Sequence, residues 1–229
     1  MLYPDLWHAF THAECCLGAD RLDYPEWHLG RARYALWAID AEIFAVAKRL
    51  EDWRERLRDF LVAPYERPAH VTVAVCGFPC VAGRATHEPA ANNVVPARND
   101  DALPAQLAAQ EERLRALRLP PFTLRIRDLN SFASAPFLEV EDETAALSQL
   151  RAAIAPQAGE FRSTPYVPHV TIGIYSGAHP VSRLLPLMTR EAENAEPIML
   201  RVGAVGLYSY DTAHIGSPLR LDRRVTLTG

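Results

Sequence analysis

The chain has 229 residues, enough for one sizeable domain or two closely packed lobes. Apolar residues make up 49% and charged residues 23%, an ordinary balance for a soluble globular protein, and no apolar run reaches membrane-spanning length. A net charge of −4 argues against holding long nucleic acid through a general basic surface, but leaves room for a small pocket that takes one phosphate.

Residues 1–32 are rich in aromatics and histidine: Tyr3, Trp7, His8, Phe10, His12, Tyr24, Trp27 and His28. Leu6 to Cys16 can form a short helix, and Asp23-Tyr24-Pro25-Glu26 reads as a turn. His8 and His12 stand one helical turn apart with Cys15 and Cys16 beyond, but no opposing ligand pair with metal spacing follows. The segment is expected to be an extension that packs its aromatics on the main domain or lines one end of a cleft. No basic region leads into an apolar run, so no secretory signal is expected. The four cysteines, Cys15, Cys16, Cys76 and Cys80, suit neither a zinc site nor a disulfide framework. The expectation is a reduced, cytoplasmic protein with no membrane partner.

Residues 33–229 read as one domain. Tyr34 to Ile39 is a nearly continuous apolar run, the pattern of a buried central strand. A helix is predicted from Ala41 to Leu61, with Ile43, Val46, Ala47, Leu50, Trp53, Leu57 and Phe60 inward and Arg54, Arg56 and Arg58 on a solvated face. Pro64 and Pro68 close that element before the strand that starts at His70. Cys76 to Asp101 lacks periodicity and reads as a long loop that leaves from the end of that strand and is expected to border the site, with His87 in it as a surface residue. A second helix is predicted over Leu103–Leu119 and a hairpin over Phe122–Arg127 and Pro136–Glu141, joined through Asn130 to Ala135. Helices follow at Glu143–Ile154 and Ser182–Asn194. Ile198–Val202, Ala204–Tyr208 and Leu219–Leu227 complete the strands.

Two stretches echo each other about a hundred residues apart. Pro68-Ala-His-Val-Thr-Val and Val167-Pro-His-Val-Thr-Ile each carry His-Val-Thr followed by a β-branched residue. Side chains alternate along a strand, so His70 and Thr72 share one face while Val71 and Val73 share the other. His169 and Thr171 stand likewise against Val170 and Ile172. One such triplet is read as well by a core histidine beside a threonine that favours strand. A pair sharing so much context points to a site of two imidazoles and two hydroxyls. The order of elements gives an α+β class. The repeat of helix then motif strand suggests a bilobal duplicated fold, with two antiparallel sheets facing a central cleft and helices packed outside.

His70-Val-Thr-Val and His169-Val-Thr-Ile resemble the paired His-x-Thr-x motifs of the two-histidine phosphoesterase superfamily, which includes 2′,5′ RNA ligase-like proteins and 2′,3′-cyclic nucleotide phosphodiesterases. The resemblance runs from about Arg33 onward and implies the same bilobal architecture. It also implies a substrate with a phosphate ester beside a ribose hydroxyl: a 2′,3′-cyclic phosphate, a 2′,5′ linkage or a related cyclic nucleotide derivative.

The residues suit that chemistry without metal or cofactor. One neutral histidine takes a proton from the attacking oxygen while a protonated one gives a proton to the leaving oxygen. Thr72 and Thr171 can donate to the phosphate oxygens where charge develops. In the reverse direction the roles exchange, so hydrolysis and 2′,5′ ligation share one site. Phe78, Phe132 and Tyr166 are candidates to stack a base, and Arg162 and Ser163 to meet phosphate. The acidic chain favours a small nucleotide or short RNA end as partner. A module that binds a terminal phosphate without turning it over is a second reading. A metallohydrolase is a third, weakened because neither motif contains Asp or Glu.

Overall fold

The computed structural model describes residues 1–79, 100–154, 165–188 and 196–229. The first thirty-two residues carry two short helices, α1 (Pro4–Thr11) and α2 (Pro25–His28), each with proline in its first turn. Between them the chain is tied to the rest of the molecule by backbone bonds: Cys16 N to His179 O, Leu17 N to Ala133 O, and Ala19 N to Tyr175 O. Phe10 and Cys16 are buried in the main core. The segment is thus a strap laid across the domain.

The apolar run becomes β1 (Arg33–Asp40), with six consecutive buried residues. Ala35, Trp37 and Ile39 join the main core, while Tyr34 and Leu36 lie buried on the opposite side of the strand. Helix α3 (Phe44–Leu57) covers the core face with Val46, Leu50, Trp53 and Leu57. It starts three residues later than the sequence suggests because Ile43 is extended and acts as its cap, leaving Ile43 37% exposed instead of inward. Its end passes through a 3₁₀ turn at Arg58–Phe60. Arg54, expected in solvent, is half-buried and donates from Nε to Ile172 O at 2.7 Å.

The first motif strand, β2 (His70–Pro79), extends through Cys76 to Pro79, and β3 (Asp101–Ala102) returns parallel beside its end. The loop expected to border the site therefore begins only after Pro79, and residues 80–99 lie outside the described residues. Helix α4 (Pro104–Ala116) stops short of Leu119, where Arg118 turns to a positive φ of 45°. The hairpin is β4 (Phe122–Ser131) and β5 (Pro136–Glu141). Asp142 accepts from Thr144 N at 3.0 Å and Leu147 N at 2.7 Å, so α5 (Ala146–Ile154) begins after that turn. The second motif forms β6 (His169–Thr171). The helix expected at Ser182–Asn194 is only α6 (Val181–Leu184) within the described residues: Pro186 has no N–H to continue it, and 189–195 lie outside the described residues. Strands β7 (Ile198–Val202), β8 (Ala204–Asp211) and β9 (Arg220–Thr226) follow.

A strand–helix–motif-strand unit occurs twice, as β1-α3-β2 and as β5-α5-β6. The strands do not form two separate sheets. They run in one curled, chiefly antiparallel sheet, β7-β4-β5-β6-β2-β1-β8-β9, with β3 off this path. Among the described residues, four strands of this path lie on each side of the seam between β6 and β2, which is a single bridge, Val71 to Val170. Both valines are fully buried, and each such side chain contributes roughly 1.5–3 kcal/mol. Because β6 is short, side chains complete the seam. Tyr166 donates its hydroxyl to Thr72 O at 2.8 Å and Arg151 donates to Val73 O at 2.5 Å, with the guanidinium 3.8 Å from the Tyr166 ring centroid. No helix among the described residues is long and apolar enough to cross a membrane.

Candidate active site

Val71, Val73, Val170 and Ile172 are all fully buried in the core. Alternation therefore puts His70, Thr72, His169 and Thr171 on the other face of adjoining strands. Continuing the antiparallel register from Val71–Val170 sets His70 across from Thr171 and Thr72 across from His169. The two histidines are then diagonal neighbours, with backbones about 7–8 Å apart. That spacing lets two imidazoles reach one phosphate from either side.

Both rings are held in the same way. His70 Nδ1 lies 2.9 Å from Pro68 O, and His169 Nδ1 lies 2.7 Å from Val167 O. A carbonyl can only accept, so each Nδ1 carries a proton and Nε2 becomes the nitrogen that exchanges one. His169 also packs against Phe132, edge-on at 5.0 Å, and Phe137, at 5.3 Å, two rings that stack on each other at 4.3 Å. His70 is the more enclosed of the two, at 9% exposure. Burial pushes its pKa down to about 4; the charges of Arg67 and His169 act in the same direction, against the Pro68 carbonyl and Asp40. His70 is therefore neutral at physiological pH.

The surroundings fix these strands. Asp40 pairs with His70 in register; it accepts from Glu42 N at 2.9 Å, and Glu42 accepts from Ala69 N at 2.6 Å. Glu139, only 1% exposed, pairs with His169 in register. A buried carboxylate needs donors, and it finds Asn130 Nδ2 at 2.7 Å, Leu2 N at 2.9 Å and Tyr3 N at 3.2 Å. The start of the chain is thus fastened next to the second histidine's strand partner.

Of the other residues singled out from sequence, Phe132 stands against His169 and Tyr166 is joined to Thr72. Phe78 has no face open to a ligand. It sits eight residues beyond His70 on β2, 1% exposed, under the Arg31 guanidinium and against Trp27 and Tyr34. It is packing, as an aromatic in the interior of a long strand commonly is. Arg162, Ser163 and His87 lie outside the described residues. The His8 and His12 rings meet at a tilt, 4.0 Å between centroids, and Cys16 is buried with its thiol on Gly177 O. Among the described residues no group of three or more His, Cys, Asp or Glu is placed to hold a metal ion.

Sequence reasoning passed over Arg67. Its charge acts on His70, its guanidinium stacks 4.1 Å from the Tyr210 ring centroid, and its Nε donates to Ser217 O at 3.3 Å. Among the described residues no carboxylate lies within ion-pair distance of it. A cation three residues before the motif histidine was the available signal. Arg67 also lines a cavity of about 350 Å³ whose other walls include Tyr24, Trp27, Ile174, Tyr210 and Ile215.

Residues 44–214 match the 2′-5′ RNA ligase superfamily. Among solved structures, the fold is similar to that of E. coli LigT complexed with 3′-AMP, with 17% identity, a TM-score of 0.53, and coverage of 86% of this chain and 99% of that one. A structure described as a phosphoesterase gives 18% identity, a TM-score of 0.51 and coverage of 86% and 99%. E. coli LigT complexed with NADP⁺ gives the same four values. No curated protein matches the chain.

Proposed function

The chain belongs to the 2′-5′ RNA ligase superfamily, and on that premise we propose that it is a metal-independent phosphodiesterase. Its substrate is a 2′,3′-cyclic phosphate or a 2′,5′-linked nucleotide or RNA end. The observation that carries this reading is the pairing of the two motif strands through Val71 and Val170, with both imidazoles anchored at Nδ1. His70, neutral and enclosed, is the base in hydrolysis. Its Nε2 takes a proton from water as the water oxygen bonds to phosphorus. The ester bond to the ribose oxygen breaks, and His169 Nε2 gives that oxygen its proton. Thr72 and Thr171 donate to the non-bridging oxygens as their charge rises. The product is a phosphomonoester and a free hydroxyl. With the roles exchanged, the site joins the same ends.

The net charge of −4 favours a small nucleotide or short RNA end over long RNA. Structures of E. coli LigT with 3′-AMP and with NADP⁺ support a partner of that size. The test is a turnover screen of 2′,3′-cyclic nucleotides, 2′,5′-linked dinucleotides and RNA ends carrying a cyclic phosphate. Hydrolysis of at least one is expected. Phosphate binding without turnover of any member would replace the enzyme with a binding module.

A further inference from the structure

Resting on that reading, we propose that the cavity beside Arg67 seats the nucleobase of the substrate, on a wall built partly from the N-terminal strap. Its position joins it to the motifs. Arg67 lines the cavity and is near enough for its charge to act on His70, and Ile174 lines it three residues after Thr171. A ligand whose phosphate lies between the histidines can therefore extend into it past the Arg67 guanidinium.

The chemistry of the walls is that of a base-stacking site. Tyr24 and Trp27 come from the strap, Tyr210 from β8, and Ile174 and Ile215 supply aliphatic surface. Flat aromatic and guanidinium faces accept any base by its π-face. The volume of about 350 Å³ falls within the range of small-ligand sites, roughly 300–1,000 Å³. The walls are braced in advance. Trp27 packs at 5.1 Å on Tyr34 and 5.2 Å on Phe78. Arg31 lies over Phe78 and pairs with Asp100 at 2.7 Å, and its carbonyl accepts from Thr212 Oγ1 at 2.6 Å. A preformed wall of this kind avoids the ordering loss that a mobile one would impose.

Calorimetric titration of the full chain tests the assignment, with nucleoside 2′- and 3′-monophosphates set against ribose phosphates that lack a base. The nucleotides are expected to bind about 5- to 150-fold more tightly, the range of one stacked base. Trp27→Ala removes a wall and Ile215→Trp fills the cavity without removing packing beneath it. Each is expected to erase most of the preference. Equal affinity for the two ligand classes in the wild type, or a preference that survives both variants, overturns the assignment. Turnover without base preference sinks the pocket alone. Base preference without turnover of any screened ester leaves the pocket standing and sinks the phosphodiesterase.

Discussion

His70 and His169 present the same nitrogen to the same face: each commits Nδ1 to the carbonyl two residues before it, at 2.9 Å and 2.7 Å. Local sequence produces this symmetry. In each motif the strand begins at the histidine, so the ring folds back onto backbone that the ladder does not use. The two sites then differ by environment. His70 is enclosed and faces Arg67, while His169 packs against a stacked pair of phenylalanine rings.

The first prediction concerns the acid limb of activity. Neutral His70 is lost only as pH falls toward about 4, so kcat/KM should hold well below the ordinary histidine value before it declines. Arg67→Gln removes a positive charge that disfavours protonation. The acid limb should then move to higher pH. A kcat/KM profile of both proteins reads this; an unmoved limb would separate Arg67 from His70.

Stability should follow the same group. The folded pKa of His70 is depressed below its unfolded value, near 6.5, so the unfolded chain binds the proton first as pH falls. The stability linked to a neutral His70 is complete above about pH 6.5 and lost toward pH 4, a difference of about 3 kcal/mol. Urea unfolding at about pH 7 and about pH 4.5 should show a steeper loss in wild type than in His70→Gln. Parallel losses would contradict the burial assigned to this ring.

Much of the site was legible because strand alternation is local. The two His-x-Thr triplets alone place four functional groups on one face and the valines in the core. What joins distant segments was not legible. Nothing in the sequence marks Glu139 as the buried anchor of Leu2 and Tyr3, or Arg67 as the neighbour of Tyr210. Arg54 read as solvated because helical periodicity cannot foresee the open carbonyl of Ile172. Phe78 was credited to the site as a stacking face, yet it is buried beneath Arg31 and Trp27. The sheet was divided in two because a repeat implies two units, whereas one bridge between Val71 and Val170 suffices to join them.

The threonines give a graded test. Thr72→Val and Thr171→Val keep the β-branched shape and remove only the hydroxyl. If each donates to charge that develops at phosphorus, kcat should fall by an amount equal to about 2–4 kcal/mol at most, with little change in stability. Thermal unfolding and single-turnover rates read the two effects apart. Full activity in both variants would remove the hydroxyls from the mechanism.

Chelation addresses the route of proton transfer. Two imidazoles and two hydroxyls meet every proton and charge requirement of the reaction, so turnover should survive EDTA. Loss of activity restored by a divalent ion would favour a metallohydrolase.

The measurement that bears most directly on the two-histidine pair is kcat on a 2′,3′-cyclic nucleotide for wild type, His70→Ala, His169→Ala and the double variant. Each single variant should fall by roughly 10²-fold or more. The double variant should fall far less than the product of the single losses, because the pair works as a unit. All should remain folded, since Val71, Val73, Val170 and Ile172 keep the core face intact. Wild-type-like turnover in either single variant would contradict the acid–base pair.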